Sequence, residues 1–140
     1  MIKSLIFDLG NVLIIKNKRT PGLRYQAVNL PLYRFLKKIA KKYKLYSLTN
    51  IDETYHKINT NRGIYKIFRK VYTSFETGIE KPDKKAFLMV LKDNSLNPGE
   101  TLMVDDNSEH LKIAKKLGMK VILFKNNKGF FRELKNKGIK

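Results

Sequence analysis

The sequence predicts a three-layer α/β domain: a five-stranded, mainly parallel sheet with helices on both faces. Short apolar runs alternate with amphipathic helical stretches along the whole chain. The runs are continuously apolar, as strands covered on both faces are. The 140 residues contain no internal repeat and no composition break, which makes residues 1–140 one domain.

Residues 2–8 read as the first strand, stopped by Asp8 and turned by Gly10-Asn11 before a second apolar run, Val12 to Ile15. Residues 16–30 are a polar, Pro-Gly-containing connection carrying Lys16, Lys18, Arg19 and Arg24, either a plain surface loop or a positive rim beside the first strand's end. Pro31 suits the first turn of a helix. Leu32, Phe35, Leu36, Ile39, Ala40 and Tyr43 give that helix one apolar face, with Lys37, Lys38, Lys41 and Lys42 opposite.

Leu45 to Leu48 is a second strand ending at Thr49-Asn50, followed by a polar helix over 52–60 and a short helical turn over 63–68. Lys70 to Thr73 is a third strand, and Thr77 to Asp83 a loop. Asp83 caps a helix from Lys84 to about Lys92. Asn97-Pro98-Gly99-Glu100 is a turn. Thr101 to Val104 is a fourth strand ending at Asp105-Asp106. A helix over 108–117, stopped by Gly118, leads to a fifth strand, Lys120 to Phe124, and a Lys-rich terminal helix docks Phe130, Phe131 and Leu134.

The net charge is +18, and only six of the 30 basic residues are arginine. The charge fits attraction to nucleic acid or to a phosphorylated substrate. The spread of lysine along every solvated face fits a plain compositional bias instead, since bidentate phosphate recognition favours arginine. Cysteine is absent, which leaves no disulfide and no thiolate metal site. No apolar run approaches the ~20 residues of a membrane span, and the start of the chain does not read as a signal peptide. The expected compartment is the cytoplasm.

In a parallel sheet the C-terminal strand ends share one edge, where ligands bind. Asp8, Thr49 and the pair Asp105 and Asp106 fall on that edge, with Lys81 in the loop after the third strand. Three carboxylates at close range raise one another's pKa values, and a hard divalent cation such as Mg²⁺ relieves them while also taking phosphate oxygens as ligands. Asp8 is then available as a nucleophile toward phosphorus, and Thr49 and Lys81 as holders of the phosphoryl oxygens. The plain alternatives are a turn Asp at 8, a turn Thr at 49, one lysine among many at 81, and a helix cap made by Asp105 and Asp106, the latter pairing with Glu109. A receiver domain uses the same parts in a different chain order, with its acidic pair first.

The order found here, in Phe7-Asp8-Leu9-Gly10-Asn11-Val12-Leu13, Ser47-Leu48-Thr49-Asn50, Gly78-Ile79-Glu80-Lys81-Pro82-Asp83 and Val104-Asp105-Asp106-Asn107, resembles that of the haloacid dehalogenase superfamily of phosphohydrolases. The resemblance covers essentially the whole chain and implies a Rossmann-like core. It also implies Asp8 as nucleophile, Thr49, Asn50 and Lys81 around the phosphate, and Mg²⁺ held by Asp8, the Gly10 carbonyl, Asp105 and Asp106.

Two departures from the family pattern stand out. Many phosphatases of the family carry an acid–base Asp two residues after the nucleophile, where this chain has Gly10. Asn11 does not titrate, and His56 and His110 are the remaining candidates for that role. Second, residues 14–30 are too few for a helical cap, so the crevice is open.

The expected function is a Mg²⁺-dependent phosphatase acting through Asp8 on a phosphorylated small molecule or a macromolecular end-phosphate. The alternative is a weak or inactive module of the same fold that binds nucleic acid or another polyanion. A dehalogenase is disfavoured, because that branch does not need the acidic pair. No oligomer is predicted.

Overall fold

The structure, a computed structural model, describes residues 1–15 and 27–139. The elements in chain order are β1 (Ser4–Phe7), β2 (Ile14–Ile15), β3 (Ala27–Val28), α1 (Leu30–Ile39), β4 (Lys44–Thr49), α2 (Glu53–Arg62), β5 (Lys70–Thr73), α3 (Ser74–Thr77), α4 (Lys84–Asp93), β6 (Thr101–Asp105), α5 (Ser108–Lys116), β7 (Lys120–Leu123) and α6 (Asn127–Asn136). Single 3₁₀ turns lie at Ile64–Ile67 and Pro98–Glu100. None of the helices is long and apolar enough to cross a membrane, among the described residues. The predicted basic rim of Lys16, Lys18, Arg19 and Arg24 lies outside the described residues.

Five strands form one parallel sheet in the order β5-β4-β1-β6-β7. The chain runs outward from β1 through β4 to β5, then returns to the other side of β1 for β6 and β7. The crossover direction therefore reverses between β1 and β6, and ligand crevices open at such a reversal.

Side chains alternate across the sheet with period two. Leu5 and Phe7 of β1, with Leu102 and Val104 of β6, pack under Leu32, Leu36 and Ile39 of α1 and Phe130 and Leu134 of α6. Ile6, Tyr46, Leu48 and Met103 face the opposite layer, against Ala86, Phe87 and Val90 of α4 and Leu111 and Ala114 of α5. Both faces are covered, which is why the strands read as unbroken apolar runs.

Three local features differ from the sequence reading. The end of the polar connection forms β3, which pairs antiparallel with β2 through Ile14 opposite Val28 and Ile15 opposite Ala27. Two-residue strands are too short to show a period. Helix α1 begins at Leu30 and is capped by Asn29, whose side chain accepts the Leu32 N–H. Residues 74–76, which the sequence reading leaves unassigned between the third strand and the loop, form with Thr77 the one-turn helix α3, capped by Thr73 and closed by Gly78 at φ +72°.

Candidate active site

The end of β1 is placed by pairing on both sides: Phe7 stands beside Ser47 of β4 and Val104 of β6. The Asp8 N–H continues the ladder to the Val104 carbonyl at 2.9 Å. Asp8 and Asp105 thus leave adjacent strands at the same level, and Thr49 closes β4 beside them. A cleft of ≈ 340 Å³ opens there, with Asp8, Gly10, Thr49, Lys81, Asp106 and His110 on its lining and Tyr55 and Asn59 of α2 also facing it.

Lys81 is the centre of the site. Its Nζ lies 2.8 Å from Asp105 Oδ2 and 3.2 Å from Asp8 Oδ1, and its side chain is fully buried. The Asp8 Oδ1 atom also accepts the Leu9 N–H at 2.8 Å. Asp105 Oδ1 accepts the Asn107 N–H at 3.0 Å, and Oδ2 faces His110 Nδ1 at 3.0 Å. Asp106 Oδ2 accepts from the Asn11 amide at 3.1 Å. Lys81 thus orients both Asp8 and Asp105, and Asn11 orients Asp106.

Oxygen atoms of Asp8, Asp105 and Asp106 lie within 4.8 Å of one another. Burial pushes the Asp8 carboxyl up to about 7, and the neighbouring Asp105 and Asp106 carboxylates add to the rise while Lys81 opposes it. Burial also pushes Asp105 upward, but Lys81, the Asn107 N–H and His110 outweigh it and hold Asp105 below the usual carboxylate range. One ammonium does not balance three carboxylates. This donor set, hard oxygens with surplus negative charge, fits a Mg²⁺ ion.

The structure brings Asp8, Gly10, Thr49, Asn50, Lys81 and Asp106 to one cleft, while Asp105 is fully buried against Lys81 and His110. Asn50 has a specific task there: its Nδ2 donates to the Lys81 carbonyl and its Oδ1 accepts the Lys81 N–H, both at 2.9 Å. It clamps the Lys81 peptide with both ends of its amide. His56 is turned elsewhere, with Nδ1 3.1 Å from the Tyr65 hydroxyl and Nε2 3.5 Å from Glu76, and it does not line the cleft. The cap of α5 is Asn107, which accepts the Glu109 N–H, so Asp106 is not a capping residue. Asn11 is the site residue that sequence reasoning passed over. It sits at φ +62°, a conformation Asn tolerates better than most residues, and the Gly-Asn turn was its signal.

Among the described residues that line the cleft, Lys81 is the cation, and it is buried. Lys3, Lys41, Lys42, Lys44 and Arg69 instead surround a depression at the opposite, N-terminal edge of the sheet.

A family model described as haloacid dehalogenase-like hydrolase matches residues 27–124. The chain belongs to this family. Among its curated relatives are the drimenol cyclase of Aspergillus calidoustus, 31% identical over 94 residues, 66% of this chain and 18% of the relative. The D-ribitol-5-phosphate phosphatase of Bacteroides thetaiotaomicron is 37% identical over 65 residues, 46% of this chain and 32% of that one. A sesquiterpene phosphatase of Aspergillus oryzae is 30% identical over 112 residues, 79% of this chain and 56% of that one. The chain thus matches little more than half the length, at most, of these relatives.

Solved structures share the fold of this haloacid dehalogenase-like chain. A HAD-like family hydrolase of Porphyromonas gingivalis superposes with TM-score 0.81 at 18% identity, covering 100% of this chain and 99% of that one. A HAD-family enzyme of Bacteroides thetaiotaomicron, in complex with magnesium and inorganic phosphate, superposes with TM-score 0.76 at 20% identity over 89% and 95% of the two chains. The small haloacid dehalogenase-like core carries no large cap among its described residues.

Proposed function

We propose that this protein is a Mg²⁺-dependent phosphatase that acts through an aspartyl-phosphate on Asp8. The observation that carries the proposal is the convergence of Asp8, Lys81 and Asp105 at adjacent strand ends, with three carboxylates within 4.8 Å. The phosphatases among the curated relatives support the reaction class, and the magnesium and phosphate bound by a structural neighbour support the metal.

Asp8, Asp105 and Asp106, with the Gly10 carbonyl, would hold Mg²⁺, which when bound offsets the charge of the carboxylates and of the phosphoryl group. The Asp8 carboxylate is oriented in advance by the Leu9 N–H and Lys81. Lys81 and the Thr49 hydroxyl serve as donors to the phosphoryl oxygens, and Asn50 fixes the peptide that presents Lys81. Asp8 attacks phosphorus, and water then releases phosphate from the aspartyl-phosphate.

A phosphorylated small molecule suits the site better than a nucleic-acid end. The described cleft residues offer no outward cation for a polyanion backbone, and five basic residues line a depression at the opposite edge. The test is phosphate release from a panel of phosphorylated compounds, with and without Mg²⁺, by wild type and Asp8→Asn. Release that needs both Mg²⁺ and Asp8 is expected. Equal release by Asp8→Asn contradicts the proposal.

A further inference from the structure

We propose that the N-terminal edge of the sheet, opposite the cleft, binds single-stranded nucleic acid. This surface shares no residue with the cleft, and the proposal stands apart from the phosphatase reading.

The fold builds the edge. In a parallel sheet the strand starts fall together, and here a cation stands at four of the five starts. Lys3 precedes β1, Lys44 opens β4, Arg69 precedes β5 and Lys120 opens β7. In the order β5-β4-β1-β6-β7 these starts form a row, about 19 Å long at the usual strand spacing. The start of β6 follows Glu100, which pairs with Lys3 at 3.0 Å. Lys44, Arg69 and Lys120 have no acidic partner among the described residues.

Two hollows open on this edge and a third beside it. Lys41, Lys42, Lys44 and Arg69 surround the first with Lys3. Lys115, Lys120 and Lys137 line the second. Lys38 and Lys135 line the third, next to Phe35 of α1 and Phe131 of α6. The chain holds 12 acidic residues against 30 basic ones, and a bias spread evenly over the surface would leave mixed charge in each hollow. Among the described residues, none of the three is lined by an Asp or a Glu. The cleft, in contrast, is lined by Asp8, Asp52 and Asp106, with Lys81 buried.

Helix ends account for part of this charge. Lys41 and Lys42 follow α1, and Lys115 lies in the last turn of α5, where cations complement the helix dipole. Lys44, Arg69 and Lys120 stand at strand starts, and strand dipoles are too small to call for them.

A row of cations suits a chain of phosphates over a single small anion. Lysine contacts phosphate as a point charge and reads no sequence. The third hollow selects among polyanions. Phe35 and Phe131 are half-buried, with ring centroids 5.0 Å apart at 61°, between Lys38 and Lys135. Bases stack on aromatic rings set among cations, which holds single strands without sequence preference. Lys38 lies within about one helical turn of Lys41 and Lys42, so the end of α1 brings the rings and the row together. A lipid surface would draw on exposed apolar side chains for insertion. Of the exposed large apolar residues, only Met1 borders these hollows, while Ile15, Leu30 and Phe75 do not.

The experiment is fluorescence anisotropy with a labelled oligothymidylate in the absence of Mg²⁺. Wild type is expected to bind, and to lose about 50-fold in affinity between about 50 and about 200 mM salt, as roughly four neutralised phosphates dictate. Replacing Lys41, Lys42, Lys44 and Arg69 by Ser is expected to weaken binding about tenfold or more and to flatten the salt dependence. The control replaces Lys84, Lys85, Lys125 and Lys128 by Ser. These follow the loop that carries Lys81 and the C-terminal end of β7, and removing them costs the same net charge. All of these side chains are exposed, so neither variant disturbs the core, and the control is expected to bind as wild type does. An abasic strand of the same length is expected to bind about tenfold less tightly. Equal losses in the two variants would assign the binding to net charge alone and overturn the proposal. Equal affinity for the abasic strand, or capture by phosphatidylserine vesicles with no binding of the oligonucleotide, would overturn it too. Asp8→Asn should bind as wild type, and loss of binding there would place the strand in the cleft and contradict the proposal.

Discussion

Lys81 Nζ lies 2.8 Å from Asp105 Oδ2, and neither side chain has any solvent exposure. The same ammonium reaches Asp8 Oδ1 at 3.2 Å. Carboxylates from two adjacent strands thus share one buried cation, which is a structural tie as well as a functional one. Removing one partner of a buried ion pair leaves an uncompensated charge and costs about 3–5 kcal/mol. Lys81→Met is expected to lose stability on that scale in urea unfolding, and to lose activity. Part of the stability should return with Mg²⁺, which supplies positive charge to the same carboxylates.

The pH dependence follows from Asp8. Its carboxyl titrates at about 7 in the folded protein and at 3.8 in the unfolded chain, because of burial first and then the Asp105 and Asp106 carboxylates. Between those values the folded protein keeps a proton that the unfolded chain has released. The stabilisation from this group is therefore complete below pH 3.8 and is lost as pH rises through about 7. Asp105, shifted downward, makes the opposite contribution, which is lost only on acidification below 3.8. Thermal unfolding in chelator should show Tm falling from pH 5 to pH 8. Mg²⁺ should stabilise more at pH 8 than at pH 5, since protonated Asp8 is a poor ligand.

Asn50 is expected to act through Lys81. Its two hydrogen bonds hold the Lys81 peptide, so Asn50→Ala frees the loop that presents the ammonium. Each bond contributes about 0.5–1.5 kcal/mol, and a loss of tenfold or more in kcat/KM should follow while circular dichroism stays native. Asn50→Asp keeps the acceptor for the Lys81 N–H but not the donor to its carbonyl, and should fall between wild type and Asn50→Ala.

Asn11 links the first loop to Asp106 at 3.1 Å from a left-handed backbone position. Asn11→Gly keeps that backbone and removes the tether. Loss of a residue that orients a metal ligand lowers affinity by about 10–100-fold, so calorimetric titration with Mg²⁺ should show weaker binding and a fold of undiminished stability. Asn11→Val adds backbone strain and should also lower Tm.

The sheet, its helices and the order of the site residues were legible because their signals are long. Unbroken apolar strands and the spacing of Leu32, Leu36 and Ile39 survive any choice of tertiary detail. Asp8, Thr49, Lys81 and Asp105 could be placed on one edge once the strands were taken as parallel. What was not legible depends on contacts between distant segments. Asn50 reads as a substrate contact because nothing in Thr49-Asn50 tells that its amide will meet the Lys81 peptide 31 positions later. Helix α5 starts at Ser108, where the sequence places it, and its cap is Asn107, so the reading of Asp106 as a cap partner of Glu109 fails. The β2–β3 pair involves four residues, too few for any period. The +18 charge gave no location, and the structure puts a concentration of it away from the cleft.

The proposed reaction passes through phosphorylation of Asp8. The most direct measurement is the intact mass of the protein after rapid acid quenching from acetyl phosphate and Mg²⁺, followed by peptide mapping. One added phosphoryl group on the peptide containing Asp8, absent in Asp8→Asn, is the expected result. Release of phosphate with no phosphorylated protein at any quench time, and at an equal rate in Asp8→Asn, would contradict it.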